Sequence, residues 1–259
     1  MKLAWISSVR GDPALLQQLE ERMAAFYGRR EQRAAYQEYI DKREALDHPF
    51  ERAMAGYLCR YPSLLEIGCG SGRLYRTLRR AGFSGRYTGI EVAGYLIEEC
   101  KKRHPEASWE QAGAYDIPAG DYQACFSYGV LESLVRPREA LDAMAGAVRT
   151  SVVLLFPDFV ESGQLGSQRT NGWAERKIWL PGALKTARKR LGPFVINLAP
   201  VALEEPGKPR ADFDAVYVSC KADIEEWALE RKYRVEYPLG RTLPRELRAR
   251  SWAFAVIQK

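Results

Sequence analysis

The sequence predicts an α/β protein built on a doubly wound, mostly parallel sheet. Three observations carry that prediction. Leu64-Leu65-Glu66-Ile67 runs straight into Gly68-Cys69-Gly70-Ser71-Gly72, and helical spacing follows in Leu74, Leu78 and Ala81. Strand, glycine-rich turn and helix is the unit that holds nucleotide-like ligands in open α/β sheets. Short strand patterns then alternate with helical ones as far as residue 157, which implies parallel strands joined by crossover helices. Finally, Ser151-Val152-Val153-Leu154-Leu155-Phe156 is nearly continuous in apolar residues, as a strand covered on both faces should be.

The elements follow in order. Residues 12–47 read as helix, opened by Asp12-Pro13 and carrying Leu15, Leu16, Leu19, Met23 and Phe26 at helical spacing, with Gly28 as a break. A further helix from Pro49 to Arg60 is stopped by Tyr61-Pro62. The glycine turn and its helix come next. Gly82 and Gly85 mark a turn before a second strand, Arg86–Val92, which ends in the carboxylate of Glu91. A helix spans Ala93–Arg103, a short third strand Ser108–Ala112, and a fourth strand begins after Asp121. A helix over Arg138–Val148 precedes the fifth strand.

From Pro157 the pattern changes. A loop of about twenty residues, of a length that is usually functional or mobile, leads to Trp173–Leu180 and a basic helix, Ala183–Leu191. Two strands follow, Phe194–Leu198 and Phe213–Ser219. A helix, Ala222–Lys232, places Ile224, Trp227, Ala228 and Leu229 at core spacing. Tyr233–Tyr237 and the terminal run Trp252–Ile257 complete the strand count.

Composition narrows the class. With 259 residues and 46% apolar composition, the chain can bury a substantial core. No window approaches the roughly 20 apolar residues of a membrane span, and Met1–Ile6 is too short for a signal peptide's apolar region. The five cysteines are scattered, without a Cys-x-x-Cys pair, which points to reduced thiols in the cytoplasm and against a zinc cluster. His48 and His104 are far apart and form no metal pair.

The glycine spacing separates two ligand classes. A dinucleotide fingerprint places a third glycine where this chain has Arg73. Glu66 before the first glycine is also unfavourable beside a pyrophosphate and suits a ligand with a cationic end. The pattern of acid, any residue, then Gly68-Cys69-Gly70-Ser71-Gly72 resembles motif I of the class I S-adenosylmethionine-dependent methyltransferases. Asp121–Leu134 resembles the fourth strand and following loop of that family, with Ser133 where many members have His.

The resemblance covers residues 49–157 well and 220–259 moderately. It implies a seven-stranded Rossmann-like sheet whose last strand is antiparallel and slots between the fifth and sixth. It implies S-adenosyl-L-methionine as cofactor, held by Glu66, Gly68, Cys69, Gly70 and Gly72 of the turn. Glu91 would grip the ribose hydroxyls beside Val92. Asp116, flanked by Tyr115 and Ile117, would meet the adenine. The backbone of Ser127, Tyr128 and Gly129 would line the methionine end. Glu132 would either point near the reaction centre or cap the next helix. Residues 1–48 would form a helical lid with Tyr27, Tyr36 and Tyr39 as its aromatics, or simply an amphipathic helix on the core. Residues 49–259 would form the methyltransferase domain, with 158–219 as its substrate-binding insertion.

Charge supplies the clue to the acceptor. Between Leu165 and Val195, Arg169, Arg176, Lys177, Lys185, Arg188, Lys189 and Arg190 face the single acid Glu175, so this stretch carries the +6 of the entire chain. An anionic small molecule or an acyl carrier would suit it, and a solvated helix face is the plain alternative. No RNA-binding signature accompanies the charge, so nucleic acid is not the expected partner. The reading is therefore methyl transfer to a small molecule. RNA methylation and a partner-binding subunit without turnover are the alternatives. Glu132, His48 and the lid tyrosines are candidate bases, none ranked, and no catalytic residue is named.

Overall fold

A computed structural model describes residues 49–131, 134, 136–157, 221–239 and 252–259, with four short strands between 164 and 217. The helical lid of 1–48, Glu132, Ser133, the basic helix at 183–191 and the basic residues of 165–195 lie outside the described residues.

Strand β1 is Ser63–Ile67, preceded by helix α1 (Pro49–Leu58) and followed by α2 (Arg73–Arg80). Then come β2 (Arg86–Glu91), α3 (Gly94–Arg103), β3 (Ser108–Gln111), β4 (Tyr122–Tyr128), α4 (Pro137–Ala147) and β5 (Val148–Pro157). Strands β6 (Gln164–Leu165) and β7 (Ile178–Trp179) pair with each other, as do β8 (Val195–Asn197) and β9 (Ala215–Tyr217), both pairs antiparallel. Helix α5 (Lys221–Glu230), β10 (Arg234–Glu236) and β11 (Trp252–Gln258) close the described chain.

Seven strands form one sheet in the order β10-β11-β5-β4-β1-β2-β3. β1 is parallel to β2 and to β4, and β4 to β5. β11 is antiparallel to both of its neighbours, β5 and β10. This is the expected architecture, including the last strand inserted between the fifth and the sixth.

Strand periodicity builds two cores. Leu64, Phe126, Val153, Leu155, Phe254 and Val256 meet Met54 and Leu58 of α1, Leu74 and Leu78 of α2, and Ile97 of α3. Their sequence neighbours Leu65, Ile67, Cys125, Val152, Leu154, Phe156, Ala255 and Ile257 meet Leu141 and Met144 of α4 and Trp227 of α5. Successive side chains point to opposite faces, so one apolar run serves both layers.

Two core assignments are corrected. Ala81 caps the end of α2 and is exposed; Tyr75 fills the buried stripe instead. Leu229 is 77% exposed. Ile224, Trp227 and Ala228 lie at i, i+3 and i+4 and share one stripe, whereas the next residue turns about 100° further round the helix, away from the sheet.

Helices α2 and α5, on opposite faces, end alike. The Gly82 and Phe83 amides donate to Arg79 and Leu78 carbonyls, and the Lys232 and Tyr233 amides donate to Leu229 and Ala228 carbonyls. Both sets are Schellman motifs with a left-handed residue after the helix, Gly82 at φ 94° and Lys232 at φ 60°.

Candidate functional site

The parallel strands β1, β2, β4 and β5 end on one edge of the sheet. Strand order reverses at β1, whose neighbours are β4 on one side and β2 on the other. In open α/β sheets, ligands bind in the crevice outside the strand ends at such a reversal.

The glycine turn fills that point. Gly68, Gly70 and Gly72 have φ of 72°, 54° and 74°, in the left-handed region. Side chains there would be strained. A Cβ on Gly68 would also stand 2.4 Å from Val130 Cγ2, and one on Gly72 would stand 2.9 Å from Trp109 Cη2. The Gly68 and Cys69 amides donate to the Ile90 carbonyl at 2.9 and 3.0 Å, which hangs the turn on the tip of β2.

Glu91 sits at that tip. Its Oε2 accepts from the Gly70 amide at 3.2 Å and its Oε1 from the Ala93 amide at 3.1 Å. Burial pushes its carboxyl above the ordinary value, against the downward pull of these amides. Val92, next along, accepts at its carbonyl from Gln111 Nε2 at 3.1 Å.

Glu66 is differently placed. It is 2% exposed and accepts a hydrogen bond from the Tyr87 hydroxyl. Burial drives its carboxyl well above the ordinary value, although Tyr87 and Arg73 both favour the charged form. Cys69 is buried beside Cys100, whose thiol donates to the Gly70 carbonyl at 3.4 Å. The Tyr87 ring packs at a tilt against Tyr75 and Trp109, at centroid distances of 4.6 and 5.2 Å. The indole of Trp109 thus forms the floor beneath the turn.

The remaining expected residues lie on the same edge. Asp116 is exposed, and its amide donates to the Gly113 carbonyl at 3.3 Å. Tyr115 and Ile117 pack against the core on the α4 side. The Tyr115 hydroxyl accepts from the Arg136 amide at 3.1 Å, under the Arg136 guanidinium. Ser127, at the end of β4, is buried, and its Oγ has no hydrogen-bond partner among the described residues. Gly129 turns the chain at φ 67°, and its amide donates to the Leu155 carbonyl at 3.0 Å.

Three residues near the turn were not among the expected site residues. Arg73, at the third-glycine position of the dinucleotide pattern, forms an ion pair with buried Glu51 of α1 and lies over the Tyr128 ring at 5.5 Å. Glu51 in the first turn of a helix reads locally as ordinary helix chemistry. Tyr87 reads as a strand aromatic. Only strand register, which sets Tyr87 opposite Leu64, brings its hydroxyl to Glu66.

Among the described residues, no group of three or more His, Cys, Asp or Glu side chains could hold a metal ion. No helix there is long and apolar enough to cross a membrane.

Comparison with known proteins agrees with this fold. Residues 65–156 match the family described as methyltransferase domain. A segment covering 29% of this chain is 34% identical to 2-phytyl-1,4-naphtoquinone methyltransferase of Nostoc sp., of which it covers 37%. Another, covering 38% of this chain, is 28% identical to malonyl-[acyl-carrier protein] O-methyltransferase of Brevibacillus brevis, of which it also covers 38%. The chain thus spans less than two fifths of the length of these curated relatives. Among solved structures, the plantazolicin methyltransferase bound to SAH superposes with a TM-score of 0.58 at 14% identity, covering 94% of this chain and 97% of that one. Magnesium protoporphyrin IX methyltransferase of Synechocystis, also bound to SAH, gives 0.51 at 13% identity, covering 81% and 82%. Residues 65–156 thus resemble a methyltransferase domain, and the sheet shares the fold of these solved structures, as the glycine motif implied.

Proposed function

We propose, from the resemblance of residues 65–156 to a methyltransferase domain, that the protein transfers a methyl group from S-adenosyl-L-methionine to a small-molecule acceptor. One observation carries the reading. Glu91 and the Gly68–Gly72 turn meet at the reversal of strand order, a carboxylate against a backbone with room for a close-lying ligand.

The residues fit that cofactor. A carboxylate offers about four lone-pair sites, and backbone amides do not use all of those on Glu91, so ribose hydroxyls can still donate to it. The orphaned Ser127 Oγ adds a polar group at the end of β4. Burial holds Glu66 towards its neutral form, and a cation above the turn would draw it back to the carboxylate. Gly68, Cys69, Gly70 and Gly72 would approach the ligand through backbone. Val92, and Asp116 with Tyr115 and Ile117, would border the adenine. Tyr128 and Gly129 would border the methionine end.

When bound, the cofactor supplies a methyl group on a sulfonium, whose departure leaves a neutral thioether. The protein's work is then mostly positioning: the acceptor atom must be held about 3–3.5 Å from the methyl carbon, in line, with water excluded. We assign residues 1–48 as a lid and 158–219 as a substrate cover of the domain at 49–259. The basic stretch at 165–195 favours an anionic acceptor, and the scattered cysteines favour the cytoplasm.

Calorimetry with S-adenosylhomocysteine tests the reading. The wild-type protein should bind, and Glu91→Ala should weaken binding about 10- to 100-fold, the worth of hydrogen bonds to a charged acceptor. Undiminished affinity in that variant would refute the ribose assignment.

A further inference from the structure

Arg73 occupies an odd place. It opens α2 directly after Gly72, where the helix dipole disfavours a cation. Helix formation therefore does not account for it. Its partners do. Glu51 is 4% exposed and pairs with the Arg73 guanidinium, whose side chain is 17% exposed. The same guanidinium lies over the Tyr128 ring, with Cζ 5.5 Å from the centroid, within reach of a cation–π contact.

Tyr128 is the last residue of β4. One residue on, Gly129 turns the chain, and Val130 then presses against Gly68. The β4 tip is thus tied to the glycine turn on both sides of Gly129, by Arg73–Tyr128 and by Val130–Gly68. These two tips are the walls of the crevice. A desolvated ion pair adds little net stability, but it holds one geometry firmly, because losing either partner strands a buried charge.

We infer that Glu51, Arg73 and Tyr128 form a positioning bridge, in which α1 holds Arg73 and Arg73 fixes the β4 tip at the spacing the methionine end of the cofactor needs. The inference rests on the cofactor reading above. It makes Arg73 and Glu51 positioning residues, acting through Tyr128 and the Gly129 turn. It also gives α1 a direct hold on the site.

Binding of S-adenosylhomocysteine to the full chain, followed by calorimetry, tests the bridge with Glu51→Gln, Tyr128→Leu and the double variant. Each single change should weaken binding about tenfold, the scale of one charge-assisted hydrogen bond at Glu51 or one cation–π contact at Tyr128. The double variant should be no weaker than the worse single, because both changes break one chain of contacts. Arg73→Lys, which keeps the charge and loses the planar fork, should bind between wild type and Arg73→Ala. Tyr128→Leu removes the ring beneath the guanidinium and, with Arg73→Lys, keeps the test in force if Glu51→Gln does not fold. Wild-type binding with unaltered affinity in the folded variants, or losses that simply add, would overturn the bridge alone. A wild-type protein that fails to bind would overturn the cofactor reading and the bridge together.

Discussion

Around β1, β2 and β3 the sheet encloses Glu51, Glu66 and the Tyr87 hydroxyl beneath the glycine turn. Around β5 and β11 the buried positions are Val152 to Phe156 and Ala253 to Ile257, and among the described residues no charged side chain is buried there. That half rests on apolar contact without a buried charge among the described residues. The other carries carboxylates that burial disfavours and that specific partners must satisfy. The contrast separates what keeps the fold together from what shapes the crevice.

Trp227→Ala should break the apolar half with the largest effect. Trp227 is fully buried against the sheet, meets Tyr233 edge to face at 5.7 Å between ring centroids and donates to Asp142 at 3.1 Å. Its loss should cost about 4 kcal/mol of unfolding free energy, read from urea titrations. The fraction that stays folded should bind S-adenosylhomocysteine as wild type does. A parallel loss of affinity would mean that the halves are not separable.

Tyr87→Phe sharpens the other side. It leaves buried Glu66 without its donor and should cost about 2 kcal/mol. The Glu66 carboxyl also gives this half a pH signature. The folded protein keeps that proton to a higher pH than the unfolded chain, where the ordinary value of 4.5 applies. Folding therefore takes up a proton above that value, and stability falls as pH rises towards the folded-state pKa. Glu66→Gln removes this contribution. Between pH 5 and pH 8 the wild type should lose more stability than the variant, measured as urea midpoints at each pH. An identical slope would show that Glu66 is ionised in the folded protein.

The smallest effect concerns the matched helix ends. Gly82 takes its left-handed conformation without cost, while Lys232 carries a Cβ into the same one. Lys232→Gly should stabilise the protein by about 0.5–1 kcal/mol, since relief of the left-handed strain exceeds the added chain entropy. Calorimetric melting should show it, with ligand affinity unchanged.

Much of this arrangement was legible beforehand, for identifiable reasons. The continuous apolar run of Ser151–Phe156, the stripe of Leu74 and Leu78 and the glycine spacing are local patterns, and each fixed an element. Ala81 and Leu229 were misplaced because helical spacing alone does not say where a helix stops or how wide its buried stripe is. Trp109 read as a strand residue, yet its indole lies under Gly72 and comes within 2.8 Å of where a Cβ on Gly89 would be. Nothing near it in sequence announces that contact.

By itself, the sequence determined the order of strands and helices, the glycine turn and the carboxylate about twenty residues beyond it. These follow from backbone sterics and from the two periodicities of burial, which act over a few residues. Tertiary structure decided that Tyr87 serves Glu66, that Glu51 holds Arg73 and that Arg73 reaches Tyr128. Those pairings join residues from 21 to 55 positions apart. They depend on sheet register and helix docking, which no local pattern encodes.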